Sequence, residues 1–315
     1  MWHPYSMHAF FHQMVLLCLV LFFAALQSVL HFNLSAQLLF FLTITLTIGV
    51  FHGLLDIILL NEKPFNKRQF LLLYSLIAVA SLVFFAGFSG SALAVLLLLS
   101  VWHFGEAQRF DDALHHHQQL LYLKRFIQGG SALAAPFIVA NQQLQQVLGL
   151  LMLQAPWLQI TWFVWNAIAW IWLFCFFIYL TVLTAKNSLN SFYAGLLEIM
   201  VVWLSFALLP PLVAFSLYFG CYHAVRHIRD VLSETNAIKS NAKQLANVAI
   251  LTASLFISVI VLLNNQPFHQ FLQKSLQTIS LKLMLTATLV LLVAITLPHA
   301  LLISFWRKTK RDKSL

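Results

Sequence analysis

Apolar runs, each about as long as the ~20-residue helix that crosses a bilayer, make up most of this sequence. They follow one another with short connections along the 315 residues, of which 61% are hydrophobic and 9% charged. Soluble domains carry about 25% charged residues, so the composition indicates an integral membrane protein. We predict an all-α fold, a polytopic helical bundle in which residues 1–315 form a single membrane-embedded domain. Residues 1–13 would be a short N-terminal tail and 307–315 a basic tail.

The apolar runs predict about ten transmembrane helices. These are placed at 14–32, 36–60, 67–87, 91–109, 124–140, 156–184, 191–209, 211–232, 244–263 and 280–306. Gly129, Gly130 and Pro136 interrupt the segment at 124–140, and the sequence leaves open whether this segment fully spans. Residues 141–154, rich in Gln and Leu, are expected to lie along the membrane interface.

The Lys and Arg residues predict the orientation of the chain. Of the 18 basic residues, 16 lie on one predicted side of the membrane, in or near alternate connections or in the C-terminal tail, and only Lys274 and Lys282 break the pattern. The positive-inside rule makes the basic side cytoplasmic, so both termini are predicted to be cytoplasmic. We expect a multi-pass protein of the bacterial (inner) cell membrane. The formal net charge of +9 is then a topology signal, and no nucleic-acid partner is expected.

Four histidines are predicted to lie at one depth of the membrane. They stand several residues inside the predicted cytoplasmic helix ends, roughly 8–14 Å deep, and are His52, His103, His223 and His227. An ionisable side chain inside a membrane is costly, and it indicates a functional site. The i, i+4 spacing of the last two places them on one helix face, where both can bind one ion. Several imidazoles without a thiolate suit iron, copper or zinc.

Carboxylates and a fifth histidine accompany this layer. Asp56 is four residues beyond His52, and Glu106 three beyond His103, a spacing that suits a carboxylate supporting a metal ligand from behind. Glu198 and His299 fall at a similar depth and are further supporting candidates. The alternative for each single residue is a hydrogen-bonded packing role without a metal.

The motifs His52-Gly-x-x-Asp56, Trp102-His103-Phe104-Gly105 and His223-x-x-x-His227, followed by Pro298-His299, occur in this order. Between about residues 45 and 303 the chain thus resembles the Brp/Blh family of bacterial and archaeal β-carotene 15,15′-dioxygenases. The resemblance implies cleavage of the central double bond of β-carotene by O₂, giving two molecules of all-trans-retinal at a non-haem Fe²⁺ centre. It also implies that the four histidines of the predicted layer are the iron ligands. Glu106 departs from the pattern, because Asp is equally expected there.

The implied partners are β-carotene, O₂, the lipid bilayer and a possible downstream retinal-binding opsin. The main alternative is a membrane transporter, with Asp56, Glu198 and the histidines as a pathway for protons or metal ions. Transport in vesicles without carotenoid cleavage would favour that function. A haem cytochrome is disfavoured, since His223 and His227 share one helix face. A di-iron desaturase would need about eight histidines in dense boxes, which the apolar runs lack.

Overall fold

A computed structural model describes most of the chain, and its regular structure there is helical throughout. The described residues are 4–49, 51–53, 55–56, 67–87, 89–106, 118–151, 155–185, 189–234 and 281–311. Within these ranges no strand occurs, which confirms the predicted all-α fold.

Eleven helices are numbered here in chain order along the described residues. They are α1 Pro4–Leu30, α2 Leu34–Ile44, α3 Lys67–Gly87, α4 Ser89–Glu106, α5 Gln118–Val139, α6 Asn141–Leu151, α7 Ala155–Ala185, α8 Leu189–Leu208, α9 Pro211–Ser216, α10 Val225–Glu234 and α11 Leu281–Arg311. A π-helical segment, Thr45–Gly49, follows α2, and helical residues 51–53 and 55–56 come after it. A second π-helical segment, Leu217–Ala224, joins α9 to α10.

The helix positions agree with the apolar runs to within several residues, except at α1, which begins at Pro4 rather than at 14. The interrupted segment at 124–140 is one helix, α5, which continues through Gly129, Gly130 and Pro136. Residues 141–151 form a separate short helix, α6. The runs at 36–60 and 211–232 each contain a π-helical segment, which hydropathy does not predict. The predicted helix at 244–263 lies outside the described residues.

Four helical stretches, one of which joins α2 to the π-helical segment and the residues after it, are long and apolar enough to cross a membrane among the described residues. They cover Phe10–Leu30, Leu34–Gly53, Arg68–Phe85 and Trp162–Val182. Shorter apolar helices cover Ala94–Gly105, Gly195–Leu208 and Val290–Ser304. The fold is therefore that of an all-α membrane bundle, while the count of ten spans and the cytoplasmic termini stay predictions.

The chain folds as two compact units. The first comprises Met1–Asn33 and Leu93–Tyr218, and it has a core of aromatic and aliphatic side chains from α5, α7 and α8. Trp172 is central to it, since its ring stacks on Phe176 and Trp203 with centroids 5.6 and 5.5 Å apart. Its Nε1–H donates to the carbonyl of Ile127 at 3.1 Å. Gly130 permits this approach, because a Cβ there would lie 2.6 Å from the indole.

The second unit comprises Leu34–Ala92 and Phe219–Leu315, and it contains four of the five histidines singled out in the sequence. Helix α11 packs against α3 and α2. A small core of Leu55, Val231 and Ile303 brings residue 55, α10 and α11 together. The helical residues 51–53 and 55–56, α10 and α11 are thereby held side by side, and each of these elements carries histidine or carboxylate side chains.

Candidate metal centre

His52 lies just beyond the first π-helical segment and is buried. Its Nδ1 is 3.2 Å from the carbonyl oxygen of Gly49, which only accepts hydrogen bonds, so Nδ1–H is the donor. In a neutral imidazole the proton on Nδ1 leaves the lone pair on Nε2. The backbone of the π-helical segment thus selects the nitrogen with which His52 can bind a metal.

His223 and His227 come from consecutive elements of the second unit that lie much later in the chain. His223 lies in the π-helical segment Leu217–Ala224, and His227 lies in the first turn of α10. Their ring centroids are 5.6 and 5.0 Å from that of His52. Both side chains are buried. His223 and His227, which the sequence predicted as a pair, therefore lie close to a third histidine, His52, from a distant part of the chain.

His299 follows Pro298 in α11 and completes the group within this unit. Its ring centroid is 4.4 Å from that of His52 and 5.4 Å from that of His227. At least one ligand nitrogen of His52 lies within 4.8 Å of one of His299. The ring of His52 thus lies within 5.6 Å, between ring centroids, of three other buried imidazoles, although the four residues are spread from position 52 to position 299.

The spacing of these rings suits a single metal ion. A nitrogen that binds a metal at about 2.0–2.1 Å places its ring centroid roughly 3.2 Å from the ion. Two rings bound at angles of about 90–120° then have centroids roughly 4.5–5.5 Å apart. The three separations from His52, 4.4, 5.0 and 5.6 Å, match that range closely. The donor set and its spacing are therefore compatible with a metal centre.

Asp56 supports His299 directly. The Nδ1 of His299 is 2.8 and 2.9 Å from the two carboxylate oxygens of Asp56, and both side chains are buried. The sequence spacing had suggested His52 as the histidine that Asp56 supports, whereas the structure gives its carboxylate a partner on α11. Leu55 packs with Ile303 of α11 in this unit, so the carboxylate of Asp56 reaches the neighbouring helix.

Tyr74 of α3 is a residue of the site that the sequence did not indicate. Its O–H donates to Oδ2 of Asp56 at 3.2 Å. A tyrosine in an apolar helix is most simply explained as an interfacial residue, so only the packing of α3 reveals this contact. Phe219 is a second unanticipated neighbour, since it stacks on His223 and lies edge-on to His52.

The remaining predicted residues lie in the first unit, on α4 and α8. His103 is buried in α4 with its ring centroid 6.0 Å from that of Phe104. Glu106 is the last residue of α4, and its side chain lies outside the part that the structure describes. Glu198 is buried in α8, where Nε2 of Gln128 donates to its Oε2 at 3.5 Å, the outer limit of a hydrogen bond.

Gly105, in the Trp-His-Phe-Gly motif, has a packing role within the first unit. A Cβ on Gly105 would collide with the backbone carbonyl of Arg125, and one on Gly129 would collide with that of Val101. Small residues at such a crossing let two helix backbones approach closely, as is common in membrane proteins. The two glycines therefore fix how α4, which carries His103, lies against α5.

The fold and the four imidazoles of the second unit define a class: an all-α membrane-type protein with a buried polyhistidine centre. The family model of beta-carotene 15,15'-dioxygenase matches residues 43–307, which is most of the chain. The chain belongs to that family, and it is a carotenoid-cleaving dioxygenase, as its motifs indicated. No curated protein and no solved structure matches it.

Proposed function

We propose that this protein cleaves the central 15,15′ double bond of β-carotene with O₂ at a non-haem iron centre, and that it releases two molecules of all-trans-retinal. The reaction balances without an external reductant. One carbon–carbon double bond breaks, two aldehyde carbonyls form, and both oxygen atoms of O₂ enter the products. The family match supports the activity, and the group of four histidines in the second unit is the observation that carries the metal centre.

Iron is proposed because the donors suit it. Neutral imidazoles without a thiolate are ligands of Fe²⁺, and iron with open positions is the usual catalyst of O₂ chemistry in non-haem oxygenases. His52, His223 and His227 would hold the ion through ring nitrogens, and the bound iron would supply the binding and activation of O₂. The three side chains are almost completely buried, so bulk water is kept from the reaction.

His103 is proposed as a further ligand on sequence grounds. It is the histidine of the Trp-His-Phe-Gly motif, and its side chain is only 3% exposed. Glu106 and Glu198 are proposed as supporting residues of the α4 and α8 helices, with positioning rather than chemical roles.

The substrate is recognised by shape and by its apolar nature. β-Carotene is an uncharged polyene about as long as the bilayer is thick, so it offers no polar handle to the protein. A membrane-embedded enzyme can receive it laterally from the lipid. We therefore propose a multi-pass protein of the bacterial inner membrane with ten spans and both termini cytoplasmic. A retinal-binding opsin is the proposed consumer of its product.

The proposal is tested by expressing the chain in a bacterium that accumulates β-carotene. Pigments are extracted and separated, and the purified protein is analysed for iron. We expect loss of β-carotene, retinal in a ratio approaching two per β-carotene consumed, and about one iron per chain. A His31→Asn variant should behave like the native protein in both measurements, because His31 is an exposed histidine in the α1–α2 connection. Unchanged β-carotene in cells that contain the folded native protein would overturn the proposal.

A further inference from the structure

Three polar side chains form a continuous hydrogen-bonded series across the second unit. Tyr74 on α3 donates to Asp56 at 3.2 Å, and Asp56 is in turn 2.8 and 2.9 Å from Nδ1 of His299 on α11. Asp56 is 4% exposed and His299 is 2% exposed. A buried polar series of this kind is costly unless its groups are mutually satisfied, and here each contact joins a donor to an acceptor.

The chemistry of the series fixes where the proton of His299 lies. A carboxylate has only acceptor oxygens, so Tyr74 donates its O–H and His299 donates its Nδ1–H. The neutral imidazole of His299 then carries its lone pair on Nε2. The tautomer of this histidine is thus selected by Asp56, in the same way that the Gly49 carbonyl selects the tautomer of His52.

Because Nδ1 of His299 donates its proton to Asp56, Nε2 is the ring nitrogen whose lone pair can bind a metal. The ring lies 4.4 Å from that of His52 and 5.4 Å from that of His227, which are separations suited to ligands of one ion. A carboxylate that accepts the other ring N–H holds a ligating histidine in orientation and makes it more basic.

We propose that His299 is a direct ligand of the metal, through Nε2, and that Asp56 and Tyr74 are its positioning residues. Asp56 acts through His299, and Tyr74 acts through Asp56 by holding the carboxylate in place. The inference rests on the proposed metal centre and adds to it a ligand from α11. It also assigns α3 a part in the site, although α3 contributes no metal-binding side chain.

Cobalt substitution tests the proposal without relying on turnover. The iron of the purified full-length protein is replaced by Co²⁺, whose visible absorption depends on the number and kind of its ligands. The variants are His299→Ala, His299→Gly, Asp56→Asn and Tyr74→Phe. The controls are His31→Asn and Tyr193→Phe, which remove an imidazole and a phenol hydroxyl at exposed positions.

We expect His299→Ala to change the Co²⁺ spectrum and to weaken metal binding, and added imidazole to restore the native spectrum in His299→Gly. Asp56→Asn keeps the shape of the carboxylate but offers a weaker, neutral acceptor, so we expect a loss of about 10–100-fold in metal affinity. Tyr74→Phe should shift the affinity in the same direction by a smaller factor. The two controls should bind Co²⁺ like the native protein.

The opposite result is a folded His299→Ala protein with the native Co²⁺ spectrum and affinity, which would exclude His299 from the ligands. Failure of the underlying proposal looks different. A native protein that binds neither iron nor cobalt would overturn the metal centre and this inference together. A native protein that binds metal but releases no retinal would overturn the cleavage reaction alone, and the spectra would still decide the role of His299.

Discussion

Gly49 and Phe219 are in contact so close that no side chain fits between them: a Cβ on Gly49 would lie 2.8 Å from Cε1 of the Phe219 ring. Each residue belongs to a π-helical segment, and each neighbours a histidine of the centre. A Cβ on Gly220 would likewise collide with the side chain of Ile44. Single π-helical turns are frequent at functional sites. Here the two glycines let both turns approach and bring His52 and His223 together.

Gly49→Ala should therefore damage the centre. The new methyl group must displace the Phe219 ring, which stacks on His223 at 6.2 Å. We expect a stability loss of about 1–3 kcal/mol from overpacking and a fall in retinal formation of roughly 10–100-fold from the displaced ligands. Thermal denaturation and retinal assays measure the two effects.

Gly149→Ala is the matched control for this substitution. Gly149 lies in α6, and no described heavy atom lies within 4 Å of a Cβ placed there. Alanine at that position should keep native activity and favour the helix slightly. Equal activity losses in the two variants would refute the steric explanation.

His223→Ala and His227→Ala should each abolish cleavage and lower bound iron. Each change removes one of the buried imidazoles grouped around His52, and the alanine side chain has no atom that can bind the metal instead. The protein should still reach the membrane, because apolar helix length rather than the histidines directs insertion. Iron content, retinal yield and membrane fractionation are compared with those of His31→Asn. Full activity in either variant would remove that histidine from the proposed ligand set.

Trp172→Phe should separate stability from catalysis. It removes the indole donor to the Ile127 carbonyl and leaves space beside Trp203 in the first-unit core. We expect a loss of about 1–3 kcal/mol in stability, with native iron binding in the protein that folds. Trp170→Phe is the control, since Trp170 is 58% exposed on the same helix. A native denaturation midpoint for Trp172→Phe would contradict the central packing role.

Reporter fusions test the orientation. Fusions after residues 64, 115, 187, 240 and 313 should report the cytoplasm, and fusions near 88, 145 and 266 should report the outside, because basic connections stay inside. A cytoplasmic signal at 145 would mean that α5 does not cross the membrane. Helix α5 is not among the four described helices that meet the length and hydropathy of a span, so this fusion is the decisive one.

Hydropathy predicted the helices well because a helix that crosses a bilayer needs a long apolar run, whichever other helices it packs against. The segment at 67–87 was predicted with the bounds that α3 has in the structure. The π-helical segments Thr45–Gly49 and Leu217–Ala224 were not predicted. They occur where Gly49 closely contacts Phe219 and Gly220 closely contacts Ile44, which are contacts between residues far apart in the sequence. Packing between helices sets those turns, and no local propensity encodes it.

The histidines were found from the sequence because their chemistry is rare inside apolar runs. The partner of Asp56 could not be found in this way. Spacing along one helix pointed to His52, whereas the contact is with His299, 243 residues away. Tyr74 was missed for the same reason, since its hydroxyl matters only once α3 lies against Asp56.

The pairing of Asp56 with His299 sets an order for biogenesis. The ribosome adds the 243 residues that separate them at about 5–20 residues per second, so the carboxylate waits on the order of 10–50 s for its partner. During that time the nascent chain holds an acidic side chain in its early helices without the histidine that satisfies it. Chains that lose their last helix would keep this acid without His299, and Tyr74 alone of its described hydrogen-bond partners would remain.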